Sequence, residues 1–241
     1  MPATQLKILT YNLHHGEGLD KVIDLERIGR LIRESRADIV ALQEIDRGCQ
    51  RTGGVDQFAE YERLSGMRGV FGKSIDYQGG EYGLGVLSRF PARAVESVML
   101  PRREGRERRQ LFVTKVALSD ADKLLFIDTH LDFDEQNDTD RMKSMDVLDD
   151  WLAAQPAETP MLLCGDFNSR PDTPVLERIR RHWSVAGGDA QQLTFPANAP
   201  VETIDYICLR PAERWNVVKY EVIEEPVASD HRPVLVEIEL A

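Results

Sequence analysis

Amides, carboxylates and histidines recur at the ends of apolar runs along this chain. They fall in Thr10-Tyr11-Asn12, Gln43-Glu44, Thr129-His130-Leu131-Asp132, Gly165-Asp166-Phe167-Asn168, Ile204-Asp205-Tyr206 and Ser229-Asp230-His231-Arg232-Pro233. Hard divalent cations take oxygen ligands of this kind, and phosphoryl transfer needs charge stabilisation and a positioned water. The set therefore predicts metal-assisted hydrolysis of a phosphate ester. Each motif alone is weak: a Glu after a strand is common, a Gly-Asp turn is ordinary punctuation, and Asn12 would serve equally well to bond a turn backbone. The expectation rests on their conjunction.

Three chemistries are readable from the residues. Glu44 follows the run Ile39-Val40-Ala41-Leu42, which predicts a ligand position at the carboxyl end of a strand, where open α/β sheets bind. Asp166 and Asn168, two apart, turn to one side if the backbone is extended, and a carboxylate with an amide suits the positioning of water. His231 follows Asp230 and precedes Arg232-Pro233, and the proline imposes extended geometry on Arg232. Asp205 sits in an apolar strand pattern, where an unpaired carboxylate costs several kcal/mol. His231 is its natural partner, because a carboxylate fixes the imidazole tautomer and stabilises the imidazolium. His14 and His15 read as loop residues near the site.

The elements that must carry these residues follow from periodicity. Strands are predicted over 6–11 and 38–43, joined by a helix in which Leu25, Ile28, Leu31 and Ile32 share a stripe after the cap Asp24. This strand–helix–strand unit opens an α/β domain. A second helix is predicted over 55–64, stopped by Gly66. Strand-like runs at 70–75, 85–87, 94–100, 111–118 and 124–129 have no helix between them, which predicts antiparallel neighbours. A helix over 138–154, a strand over 161–164, a short helix over 175–181 and a loop over 187–200 come next. Strands over 203–209, 217–223 and 234–239 close the chain. With no linker tract and motifs in both halves, residues 1–241 are read as a single domain.

Composition narrows the classes. Of 241 residues, 42% are hydrophobic, enough for a substantial core. No apolar run approaches the roughly 18–20 residues of a membrane span, and no signal-peptide pattern opens the chain, so a cytoplasmic location is expected. Three widely spaced cysteines, Cys49, Cys164 and Cys208, make neither a disulfide framework nor a zinc site. The net charge of −11 argues against a long polynucleotide footprint, which feeds on clustered Lys and Arg. The run Arg102-Arg103-Glu104-Gly105-Arg106-Glu107-Arg108-Arg109 goes against that average. It reads as a solvated turn with one phosphate-facing arginine, Arg109, just before the strand at Leu111; a one-residue slip of register would give the role to Arg108.

At these residues the chain resembles the endonuclease/exonuclease/phosphatase superfamily, from Tyr11 to Pro233. The resemblance implies a four-layered α/β sandwich of deoxyribonuclease I-like type, two mixed sheets packed face to face with helices outside. It implies Mg2+ (or Mn2+) held at Glu44, with Asn12 and Asp230 contributing to the metal site. Asp166 and Asn168 match the pair that positions water and phosphate, His231 and Asp205 the catalytic histidine and its carboxylate, and His130 a phosphate contact. Tyr82, before Leu87-Ser88-Arg89, and Arg109 match substrate-facing positions. The fragment Asn12-Leu13-His14-His15-Gly16-Glu17-Gly18-Leu19-Asp20 is similar to a bacterial metal-dependent hydrolase branch. The expected function is a metal-dependent phosphoesterase for a small or lipid-linked ester. A deoxyribonuclease- or apurinic-type nuclease is the alternative, and a non-catalytic phosphate-binding module is less favoured. Nucleic acid is left open as a partner but not favoured.

Overall fold

The computed structural model describes residues 4–119, 122–134, 138–188 and 192–240. Two mixed six-stranded sheets carry the architecture. The first contains β1 (Thr4–Asn12), β2 (Ile39–Arg47), β3 (Arg68–Tyr77), β4 (Gly80–Ser88), β11 (Trp215–Val222) and β12 (Val234–Leu240) in the order β11-β12-β1-β2-β4-β3. The second contains β5 (Ala92–Met99), β6 (Gln110–Ala117), β7 (Lys123–His130), β8 (Met161–Asp166), β9 (Ser184–Val185) and β10 (Asp205–Arg210) in the order β5-β6-β7-β8-β10-β9.

Each sheet is built around one parallel pair. β1 runs parallel to β2 and β7 to β8, and every other pairing is antiparallel. A parallel pair needs a crossover. Helix α1 (Leu25–Ser35) supplies the first and α3 (Thr139–Ala153) the second. Asp24 caps α1 by accepting from the Arg27 N–H, satisfying a donor the helix leaves open. Helix α2 (Gln57–Ser65) starts later than the sequence pattern suggests, because Asp56 is its cap. It stops at Gly66, whose φ of 72° is the left-handed C-terminal conformation that glycine adopts freely.

Three apolar clusters make four layers. Leu6, Ile8, Val86, Phe112, Phe126, Ile207 and Val236 fill the space between the sheets. Helices α1 and α2 cover the first sheet through Ile28, Ile32, Phe58 and Tyr61. Helices α3 and α4 (Pro174–Ile179) cover the second through Met145, Leu148, Leu152, Val175 and Leu176. The fold is the four-layered, deoxyribonuclease I-like α/β sandwich. The antiparallel middle of the chain is divided: β3 and β4 join the first sheet and β5 to β7 the second. Periodicity predicts pairing direction there but not which sheet receives each strand. β9 has only two paired residues and no sequence signature.

The two parallel pairs end at the same edge of the sandwich. Asn12 and Glu44 belong to the carboxyl ends of β1 and β2, His130 and Asp166 to those of β7 and β8. β10 and β12 run the other way, so the start of β10 at Asp205 and the segment leading into β12, with His231, reach that edge too. Among the described residues no helix is long and apolar enough to cross a membrane.

Candidate active site

Register brings three of these side chains together. His130 pairs with Asp166 across β7 and β8, and Asp166 with Asp205 across β8 and β10. Gly165 makes this possible: its φ is 140°, and a Cβ there would sit 1.9 Å from the Thr129 carbonyl oxygen. His231 comes from the other sheet. The Ser229 hydroxyl donates to the Asn12 carbonyl (2.7 Å), and the Arg232 N–H and Nε donate to the Thr194 and Ala197 carbonyls. These bonds fix the turn, and the Phe195 ring lies 4.9 Å from the imidazole, centroid to centroid. His231 Nδ1 is 2.9 and 3.1 Å from the two Asp205 oxygens, and its Nε2 is 3.7 Å from Asp166 Oδ2.

Glu44 reaches the same space by a break in regular pairing. β2 slips register against β4 between Leu42 and Ile45. Glu44 takes a φ of 62° there, an uncommon value for a residue with a side chain. Such strain persists where the surroundings over-determine it, as at ligand sites. Beneath it, Gln43 Nε2 donates across the inter-sheet space to Asp128 Oδ1 (2.7 Å) and to Thr10 Oγ1 (3.2 Å). Asn12, itself buried, ties the halves together: its Nδ2 donates to Glu44 Oε1 (3.2 Å) and to Asp166 Oδ2 (3.0 Å). Its Oδ1 accepts from the His14 N–H (3.0 Å), so the amide turns its donor, not its oxygen, toward the carboxylates. Asn168 has a φ of 47°; its N–H donates to Asp166 Oδ1 (2.8 Å) and its Nδ2 to the Leu131 carbonyl (3.1 Å).

These groups open onto a cavity of about 900 Å³. Glu44, Tyr82, Arg109, His130, Asp166, Asn168, Asp230 and His231 line it, while Asn12 and Asp205 lie behind its wall. Arg109 is buried at the cavity wall and Arg108 is exposed. The Arg109 Nε lies 3.4 Å from Glu107 Oε1. Two neighbouring arginines differ from the expected solvated turn. Arg106 forks onto Asp132 with both bonds at 2.9 Å, and Arg103 bonds Asp140 (3.0 Å) and Asp134. The acidic segment after His130 folds back onto the arginine turn, a contact that no local pattern encodes. Glu107, Arg51, Tyr77, Phe133 and Arg170 also line the cavity and carry no motif. The one sequence signal for Glu107 is its spacing of two from Arg109 on an extended segment.

The electrostatics separate the groups. Burial raises Asp166 to about 7, although the charge of His231 and the Asn168 and Asn12 donors pull it back. Burial opposes the charged form of His231, but Asp205 and Asp166 outweigh it and raise the imidazole to about 10. Burial, with Arg109 and His231 nearby, holds His130 well below the ordinary histidine range. Burial and then Glu44 hold Tyr82 well above the ordinary phenol range, so its hydroxyl stays protonated.

The donor set suits a hard cation. Glu44 and Asp166 both accept from Asn12 Nδ2, which brings two carboxylates to one place, the oxygen-donor arrangement that a hard cation takes. Asp166, Asp205 and His231 also offer ligand atoms within 4.8 Å of one another. A metal there would have to break the His231–Asp205 bonds, so the Glu44 and Asp166 oxygens are the better-suited pair.

The model of the Endonuclease/Exonuclease/phosphatase family matches residues 9–231. The chain belongs to this family. Within it, the chain is 26% identical to the uncharacterized protein YbhP of Escherichia coli K12 over 249 residues, covering 97% of this chain and 96% of that protein. An endonuclease/exonuclease/phosphatase structure from Beutenbergia cavernae superposes with a TM-score of 0.75 at 23% identity, covering 98% of this chain and 72% of that one. A mannosyl-6-phosphatase of Bacteroides thetaiotaomicron superposes with a TM-score of 0.76 at 19% identity, covering 97% and 99%. The family's enzymes are hydrolases of phosphate esters, and the geometry at the strand ends is the part of this chain that bears on that chemistry.

Proposed function

We propose that this chain, acting as one domain over 1–241, is a divalent-cation-dependent phosphoric ester hydrolase in which a positioned water attacks phosphorus in line with the leaving group. Magnesium is the first candidate and manganese a substitute. The observation that carries the reading is the meeting of Glu44, Asp166, Asn168, His130, Arg109 and the His231–Asp205 pair on one cavity. Glu44 and Asp166 would hold the cation, with Asp230 beside it and Asn12 bracing both carboxylates. When bound, the cation polarises the phosphoryl oxygens and offsets developing charge.

The chain's own groups have separable tasks. Asp166, oriented by the Asn168 N–H (2.8 Å), would accept a hydrogen bond from the attacking water and so position it. His231, held protonated by Asp205, stabilises charge on the phosphoryl oxygens. His130, neutral, places Nε2 3.3 Å from Asp166 Oδ2, within reach of a bound phosphoryl oxygen. Arg109 presents a planar fork suited to phosphate, and Tyr82 a neutral hydroxyl.

A small ester is favoured over a polynucleotide, because a net charge of −11 opposes a phosphate backbone. The test is hydrolysis of bis-(p-nitrophenyl) phosphate with magnesium and with EDTA, by wild type and Glu44→Gln. The reading expects EDTA-sensitive turnover and a magnesium midpoint displaced by orders of magnitude in Glu44→Gln. An unchanged midpoint would remove Glu44 from the metal site.

A further inference from the structure

Beyond the phosphate site, the cavity has a wall whose chemistry concerns the rest of the substrate. Its most conspicuous member is Phe133, 53% exposed, the sole aromatic among the exposed large hydrophobic side chains described. The ring is not loose. The Arg106 guanidinium lies 4.4 Å from its centroid, and Arg106 is itself forked onto Asp132. A guanidinium stacked on a ring and held by a bidentate carboxylate immobilises that ring at little further entropic cost. Val201, 70% exposed, is a second apolar residue at the cavity.

The cavity's arginines have carboxylate neighbours, Arg51 and Arg141 at hydrogen-bond distance and Arg109 and Arg170 farther off. Arg51 forks onto Asp46 with both bonds at 2.8 Å and lies over Tyr77. Arg141 bonds Asp138 at 2.6 and 2.9 Å. Arg170 has Glu202 and Asp172 within 3.6 and 3.7 Å. The residues outside the described set contain no Lys or Arg, so they add no side-chain cation. On the cavity lining carboxylates outnumber arginines six to four, a balance that opposes a second anion.

We propose that Phe133 is a specificity-determining platform, and that the substrate joins its phosphate to an uncharged ring that lies against Phe133. This rests on the phosphate site proposed above and names the substrate class for it. A second phosphate meets a lining richer in carboxylates than in arginines, whereas the flat face of an uncharged ring finds an exposed aromatic partner backed by Arg106.

The test uses phosphonates, whose carbon–phosphorus bond is not hydrolysed, so that binding is read apart from turnover. Calorimetric titrations of wild type, Phe133→Ala and Phe133→Tyr with methylphosphonate, phenylphosphonate and 4-carboxyphenylphosphonate are run in magnesium. Phenylphosphonate is expected to bind wild type about 3- to 10-fold more tightly than methylphosphonate, the range of an aromatic contact. Phe133→Ala should abolish that difference while leaving methylphosphonate affinity unchanged, and Phe133→Tyr should keep it. The carboxylated ring should bind more weakly than the plain one. Equal binding of phenyl- and methylphosphonate, a parallel loss of both in Phe133→Ala, tighter binding of the carboxylated ring, or binding of none of the three would each overturn the proposal. If the phenyl preference is found but no phosphate ester is hydrolysed, the platform stands and the hydrolase reading falls.

Discussion

Two buried histidines face the same carboxylate from different sheets, and their surroundings favour a neutral ring in one and a protonated ring in the other. His130 Nε2 lies 3.3 Å from Asp166 Oδ2 and His231 Nε2 lies 3.7 Å from it. The difference is behind them. His231 Nδ1 meets both oxygens of Asp205, whereas His130 Nδ1 is buried with no hydrogen-bond partner among the described residues. Burial disfavours the imidazolium in both cases. At the β10–β12 edge a carboxylate overrides it; at the end of β7 nothing does, and Arg109 adds to the penalty. Residue type and depth are therefore poor guides to charge at this site. The atom behind the ring decides it.

The largest break in this comparison should come from removing the charged member. His231→Ala is expected to lower turnover by about 10²–10⁴-fold, the range for a positioned acid–base or charge-stabilising group, with little change in far-UV circular dichroism. A loss under tenfold would mean that His231 is a bystander.

Asp205→Asn should cost less turnover, because the imidazole stays in place, but it should erase the asymmetry between the rings. Proton NMR titration in EDTA reads this directly. In wild type, His231 should stay protonated until pH approaches 10, while His130 should take up its proton only well below the ordinary histidine range. In Asp205→Asn the His231 transition should move down. The sign also sets a stability dependence. His231 is raised from 6.5 to about 10 on folding, so its stabilising contribution is complete below pH 6.5 and disappears as pH rises through about 10. Persistence of the high transition in Asp205→Asn would show that Asp166 alone holds the charge.

A smaller effect separates the neighbours Arg108 and Arg109. Arg109→Lys loses the planar fork and should raise KM or lower kcat measurably. Arg108→Lys, on an exposed side chain, should match wild type at saturating magnesium. The smallest expected effect is at Arg103, whose bonds to Asp134 and Asp140 fasten the arginine turn to the start of α3. Arg103→Lys should lower the thermal midpoint slightly and leave kcat unchanged. A kcat loss there would place the arginine turn in the reaction.

Much of the frame was legible because it follows from local rules. The helical stripe Leu25, Ile28, Leu31, Ile32 after Asp24 lies in α1, and the apolar runs before Asn12, Glu44, His130 and Asp166 lie in strands that end at one edge. The motifs were visible for the same reason, since each sits at one end of a strand, Asp205 at the start of β10 and His231 just before β12. Arg103 and Arg106 read as solvated turn residues because the segment that neutralises them lies some thirty positions away. Phe133 and Arg51 carry no motif, since ordinary residue types reach the cavity through loop paths alone.

The sequence by itself determined the element types, the strand-end placement of the polar motifs and the need for a partner at Asp205, because periodicity, capping and the cost of a buried charge act locally. Only the tertiary structure decided the rest. The break in β2 that turns Glu44 inward, the orientation of the Asn12 amide, the burial of Arg109 beside an exposed Arg108 and the different protonation of His130 and His231 all depend on it. These follow from which groups from distant segments meet in a water-poor space, where a few ångströms decide whether a carboxylate offsets the burial of a charge.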